Sequence, residues 1–164
     1  MNQSHLRPFP LIQPRFVRPG RPSAAFAAAL CVFYTLGGTI LRADDWLQWR
    51  GPNRADRSSE TGLLKSWPEG GPKKVWLFRN AGLGYAGCSV SQGRLFTMGA
   101  REGREMLIAL DVNTGRELWS APMGDVYPNN WGDGPRGTPT VDGDRVFALA
   151  AQGGLISVDA ATGR

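Results

Sequence analysis

Histidine is nearly missing from this chain of 164 residues, the one imidazole being His5 near the N-terminus. Cysteine is almost as scarce, with only Cys31 and Cys88. The body of the chain therefore has no imidazole base and no C-x-x-C-H haem attachment run. With Cys88 alone beyond the leader, no disulfide can close within it, and a buried, unreactive inner-strand thiol is expected there. Acidic residues are absent from Met1 to Ala43, where five of the 19 Lys and Arg lie: Arg7, Arg15, Arg18, Arg21 and Arg42. The remaining 14 basic residues balance all 14 acidic ones, so the formal charge of +5 belongs to the leader and the body is neutral. A basic surplus spread over a domain would suggest nucleic acid. Confined to a processed leader it does not, and nucleic acid is excluded as a partner.

Ala24 to Leu41 carries no charge and follows an Arg- and Pro-rich stretch, the build of a secretory signal with cleavage after Ala43. Leu41 is bulky where a small residue is preferred, and the uncharged run approaches bilayer-spanning length, so an uncleaved anchor is the alternative. Export to the periplasm or cell envelope is expected, with membrane contact only through residues 1–43. Cys31 follows bulky Leu30 inside the apolar run, which argues against lipidation.

What the body has in abundance is repetition. Ala109-Leu110-Asp111-Val112-Asn113-Thr114-Gly115-Arg116 returns as Ser157-Val158-Asp159-Ala160-Ala161-Thr162-Gly163-Arg164 at a constant offset. Val90 to Phe96 is answered by Val141 to Phe147 at an offset three residues larger, which makes the intervening hairpin longer in the first copy, around Glu102 to Glu105. Self-similarity at a period of about 45 residues marks propellers or solenoids, whose units bury their apolar faces only against neighbours. Within a unit, Leu107 to Leu110 is of strand type and Asp111 to Gly115 is a turn in which Asp and Asn bond their own backbone. A strand then restarts at Arg116, and Trp119 offers a large plane to pack on the next unit.

The set Ala109, Asp111, Thr114, Gly115 and Trp119, cut short in the second copy at Asp159, Thr162 and Gly163, resembles the tryptophan-docking motif of the pyrroloquinoline-quinone-type (quinoprotein-like) β-propellers. The resemblance covers Trp46 to Arg164, and Trp49 to Arg54 with Gly62 to Pro68 is similar to the opening segment of secreted bacterial members. It implies an all-β fold of four-stranded antiparallel blades, typically eight to a ring, of which this chain holds between one and a half and two. It further implies an irregular lead-in over residues 44–72, a first blade over 73–119 that starts with a strand at Lys73 to Phe78 and a blade-closing Trp76, and a shortened second blade over 120–164. The remaining blades of a longer chain are then the first expected partner. Alone, residues 44–164 are expected to aggregate, because a propeller protects its strand edges by closing.

Candidate sites are few. Gly82 to Gly87 lacks the following helix that a phosphate loop needs and reads as a crossing between blades. The stretch Ala121 to Thr140 reads as a long loop bearing Trp131, Asp133 and Arg136, where Arg136 can clamp a carboxylate or bond a backbone carbonyl and Trp131 can stack on a ring. Trp46, Trp49 and Trp67 are either a carbohydrate-stacking patch or interdomain packing. Asp142-Gly143-Asp144 has too few oxygen ligands for a calcium loop. No catalytic residue, metal site or cofactor is assigned. The resemblance implies two function classes: a non-catalytic envelope scaffold that presents loops to a protein or polymer, resembling the periplasmic scaffold of the outer-membrane protein assembly machinery, or the N-terminal part of a quinone-dependent dehydrogenase of alcohols or sugars. Only the second needs pyrroloquinoline quinone and calcium, and its adjacent cysteine pair is absent from this sequence.

Overall fold

The computed structural model describes residues 44–164, and the leader with Cys31 falls outside the described residues. Among the described residues every regular element is a strand, and no helix is long and apolar enough to cross a membrane. A four-stranded antiparallel sheet runs in sequence order from β1 (Ser89–Ser91) through β2 (Arg94–Arg101) and β3 (Arg104–Asp111) to β4 (Glu117–Asp125). A three-stranded antiparallel sheet follows as β5 (Thr140–Asp142), β6 (Arg145–Leu149) and β7 (Leu155–Asp159). The fold is all-β, as a partial β-propeller requires.

Strand alternation makes the core. Phe96 and Met98 on β2, Leu107 and Ala109 on β3, and Ala121 and Met123 on β4 send one face of the first sheet against Val141, Val146, Ala148 and Val158 of the second. Burying each large side chain of this kind stabilises by roughly 1.5–3 kcal/mol. Phe96, Ala109 and Trp119 lie in one row across three strands. The small central Ala109 lets the two flanking rings approach to 5.9 Å between centroids, tilted by 44°. The three extra residues of the first hairpin lengthen its strands: β2 and β3 have eight residues each, whereas β6 and β7 have five. Glu102 and Gly103, both at positive φ, close that longer hairpin in a tight turn of the mirror-image type that suits strand twist.

The repeated motif forms the junction between units. Asp111 Oδ1 accepts from the amides of Asn113 and Thr114 and from the Thr114 hydroxyl, at 3.1, 2.9 and 2.9 Å. Gly115 then takes a φ of 70° and donates its amide to the Asp111 carbonyl. Onto that glycine lies the indole of Trp76, whose Nε1 donates to the Val112 carbonyl at 2.9 Å. The second junction repeats the first. Asp159 Oδ1 binds the amides of Ala161 and Thr162 and the Thr162 hydroxyl, Gly163 takes a φ of 74°, and Trp119 covers it while donating Nε1 to the Ala160 carbonyl at 3.2 Å. Trp119 of the first sheet therefore docks on the turn of the second, and Trp76, which precedes β1, docks on the turn of the first.

Three expectations are corrected. Lys73 to Phe78 is not a strand: nothing among the described residues pairs with it, so Val75 and Leu77 stand exposed while Trp76 is drawn in by its turn. The boundary expected between residues 119 and 120 falls inside β4, which continues to Asp125. Pro122 is tolerated because β4 is the sheet's edge strand and the missing amide breaks no further ladder. Cys88 is exposed, since it precedes β1 and leaves the buried position to Ser89.

The lead-in is tied to both sheets. Trp46 exchanges two backbone bonds with Val90, Leu47 accepts from the Val141 amide, and Asp45 receives the Ser91 hydroxyl and the Gln92 amide. Trp46 is roofed by Gly51, where a Cβ would lie 2.7 Å from the ring.

Two outcomes are expected in the protein that carries this chain. Gly115→Ala places a Cβ 2.6 Å from the Trp76 ring and strains a left-handed residue, and chemical denaturation should record a loss of about 2 kcal/mol or more. Asp111 and Asp159 are held below their ordinary pKa of 3.8, first by the Thr114 and Thr162 hydroxyls and then by the amides of the same residues. A lowered folded pKa contributes stability that is complete above 3.8 and is lost as pH falls below it through the native value. A scan of unfolding midpoints from pH 5 downward should therefore show an acid decline that Asp111→Asn makes shallower; equal slopes would contradict the latch.

Candidate functional site

Because β4 extends to Asp125, the long crossing to β5 shrinks to residues 126–139. This crossing is organised by its own polar groups. The Asn129 amide donates to Asp133 Oδ1 at 2.9 Å, the Trp131 amide donates to Asn129 Oδ1 at 2.9 Å, and the Gly132 amide donates to the Asn129 carbonyl at 2.9 Å. Arg136 turns back on the loop, giving Nη1 to the Gly134 carbonyl at 2.9 Å and Nη2 to the Gly132 carbonyl. Its guanidinium carbon also lies 5.4 Å from the Tyr85 ring centroid. Of the two roles open to Arg136, the geometry has it bonding backbone carbonyls.

The preceding crossing braces this one. Tyr85 donates its amide to the Pro135 carbonyl at 2.8 Å and its hydroxyl to the Trp131 carbonyl at 3.2 Å, and Gly87 donates to the Gly137 carbonyl at 3.1 Å. Gly82 to Gly87 leads into β1 and not into a helix, so its glycines serve close backbone approach: a Cβ on Gly82 would collide with the Ala100 carbonyl. Gly132, at a φ of 117°, leaves room for the Tyr85 ring.

Glu105 anchors the loop from below, and sequence reasoning missed it as a functional position. The side chain is fully buried, and its two carboxylate oxygens accept from the Tyr127 amide at 3.4 Å and the Ala151 amide at 2.8 Å. One carboxylate thus joins the first sheet to the crossing loop and to the β6–β7 turn. The available signal was parity, because Glu105 shares its face of β3 with Leu107 and Ala109 and so occupies a core row.

Trp131 and Asp133 lie together along one cleft of about 470 Å³, and Arg136 lines the neighbouring one with Leu149 and Ala150. Trp131 is 88% exposed. A larger cleft of about 670 Å³ lies by Asn80, Arg101 and Arg104, where the Arg101 guanidinium is paired with Glu117 at 2.9 Å. The three lead-in tryptophans do not form one patch: Trp46 is half-buried under Gly51, while Trp49, beneath the Arg50 guanidinium, and Trp67 stand exposed. Among the described residues, no group of three or more His, Cys, Asp or Glu stands together as a metal site.

Removing the Glu105 carboxylate leaves two amides without their acceptor in a closed environment. Glu105→Ala should cost about 1–3 kcal/mol and speed hydrogen exchange at the Tyr127 and Ala151 amides, with Glu105→Gln recovering part of both. Exchange unchanged at those two amides would contradict the anchoring role.

Comparison with known proteins agrees with this architecture. The chain is similar to the 1-butanol dehydrogenase (cytochrome c) of Thauera butanivorans, 35% identical over 71 residues, which cover 43% of this chain and 10% of the relative. It thus spans about a tenth of the length of that curated relative. Residues 47–164, from the tied-down lead-in through both indole-docked units, match the family model described as outer membrane protein assembly factor BamB, and the chain belongs to that family of PQQ-like repeat proteins.

Proposed function

We propose that the chain is part of a non-catalytic β-propeller of the cell envelope that works as a scaffold or binding module through its loops. The observation that carries this reading is the crossing loop 126–139, held from both sides by Tyr85 and Glu105 while Trp131 projects into solvent. A rigid scaffold that holds an aromatic clear of its own packing has the anatomy of a contact surface and not of a reaction chamber. The family's description as an outer membrane assembly factor supports an exported, periplasmic or envelope setting. Further repeats of a longer chain are the expected neighbours of Phe147, Leu149 and Leu155, which the second sheet leaves exposed. A protein or polymer of the envelope is the partner expected at the loops, and the membrane is met only through the N-terminal segment.

The dehydrogenase relative favours a second reading, the N-terminal part of a quinone-dependent alcohol or sugar dehydrogenase. The calcium-held quinone this would need finds no cluster of three ligating side chains among the described residues. Asp45, Glu105 and Asp133 each accept hydrogen bonds from nearby backbone or hydroxyl groups, and among the described residues no three carboxylates stand together as a calcium ion's oxygen shell would favour. Ligands for such a group would have to come from other units, and no chemical step is derived through it.

The test uses the protein that carries this chain, purified from its own cells and supplied with calcium and pyrroloquinoline quinone. The scaffold reading expects no tight quinone uptake and no dye-linked oxidation of alcohols or sugars. It also expects envelope components cross-linked through residues 127–133 in the native protein to be reduced at least tenfold by Trp131→Ala. Stoichiometric quinone uptake with dye reduction would replace it by the dehydrogenase reading.

A further inference from the structure

The cleft beside Trp131 has a chemistry more specific than a general contact surface. Its walls are Tyr127, Pro128, Asn129, Asn130, Trp131 and Asp133. The backbone under the indole is fixed on both sides, by the Asn129 side chain at the Trp131 amide and by the Tyr85 hydroxyl at the Trp131 carbonyl. The backbone share of the ordering cost is therefore met before a ligand arrives, and the exposed indole offers a planar apolar face.

The polar groups around it are neutral or acceptors. Asn129 and Asp133 each use one side-chain oxygen within the loop, which among the described residues leaves the Asn129 amide nitrogen and Asp133 Oδ2 for a ligand. The Asn130 amide and the Tyr127 hydroxyl also form no hydrogen bond among the described residues and line the same cleft. Among the described residues no cation lines it: Arg136 is turned to the Gly132 and Gly134 carbonyls and lies against Tyr85. An anionic ligand would meet Asp133 with no compensating charge. A purely apolar ligand would strip water from two amides and a carboxylate without replacing it.

The geometry points to a pyranose subsite, in which Trp131 stacks on the C–H face of one sugar ring and Asn129, Asn130 and Asp133 bond its hydroxyls. A sugar ring has this division, with an apolar face and a rim of hydroxyls that both donate and accept. The ligand class is a neutral oligosaccharide, either free or as a segment of an envelope polymer. This inference rests on the binding-module reading and deepens it by naming what the loop takes.

Maltotetraose, cellotetraose and N-acetylchitotetraose are the probes, each titrated into the native full-length protein by calorimetry and by saturation-transfer NMR. At least one should bind with a dissociation constant of about 0.1–1 mM, with transfer strongest at ring C–H protons. Trp131→Ala should weaken it at least tenfold without moving the thermal unfolding midpoint, Trp131→Phe about threefold, and Asn130→Ala severalfold. Competition by a polymer built of the same sugar at matched ring concentration separates the sources: tighter binding of the polymer assigns the site to an envelope glycan, equal binding to free sugar. The subsite is overturned if none of the three binds at about 10 mM, if Trp131→Ala binds as wild type, or if only a proline-rich peptide engages Trp131. In those cases a Trp131-dependent cross-link would leave the binding-module reading standing. Quinone turnover alongside Trp131-dependent sugar binding would instead remove the non-catalytic reading and keep the subsite.

Discussion

The contact on which everything else rests is an indole lying flat on a glycine. Trp76 over Gly115 and Trp119 over Gly163 use the same geometry, and in each the indole N–H reaches a carbonyl of the same turn. An aromatic plane can approach backbone this closely only where no Cβ intervenes, and a turn that tight needs the left-handed conformation that glycine adopts without strain. The aspartate at the head of the turn fixes the remaining atoms by taking three donors on one oxygen. Ala109 belongs to the same constraint from the other side, because a larger residue would part Phe96 from Trp119. Five residue types in one motif are thus a single packing solution.

A second fastening operates at the opposite end of the strands, and its materials differ. There the two successive crossings bond backbone to backbone, and the buried Glu105 carboxylate reaches from the first sheet to the loop and to the β6–β7 turn. The apolar core between the sheets lies between these two fastenings. Hydrophobic burial supplies most of the stabilisation and hardly any direction, whereas the indole junction and the carboxylate fix how one unit lies on the next.

Much of this was legible in the residues. The hairpins, the Asp-to-Gly turns and the docking role of the indoles follow from alternation, turn chemistry and repetition, all of which act locally or between copies. What could not be read depends on neighbours. Lys73 to Phe78 has strand composition, but a strand is a relation to a partner, and none of the described residues supplies one. The stretch from Ala121 reads as the start of a crossing loop, yet β4 continues to Asp125 because an edge strand tolerates Pro122 and Gly124. Glu105 reads only as one end of the lengthened first hairpin, although its place in the Leu107 and Ala109 row is a signal of burial. For the candidate site, the residue types in the loop were readable, while the division of labour was not. Arg136 holds the loop's shape, and Trp131 and Asp133 border a separate cleft, a distinction set by which way the guanidinium turns.

The indole junction between the two sheets also has a direction, since the first gives the ring of Trp119 and the second gives the turn at Gly163. Such an interface is heterologous: the two surfaces that meet differ, so no pair of units can satisfy each other face to face. Repetition of a directed contact either returns to its starting unit or leaves one ring and one turn without counterparts. How many units an array holds is therefore set by the rotation each junction imposes. A change at Gly115 or Gly163 that tilted the indole by a few degrees would be multiplied around the array and felt most where its first and last members meet.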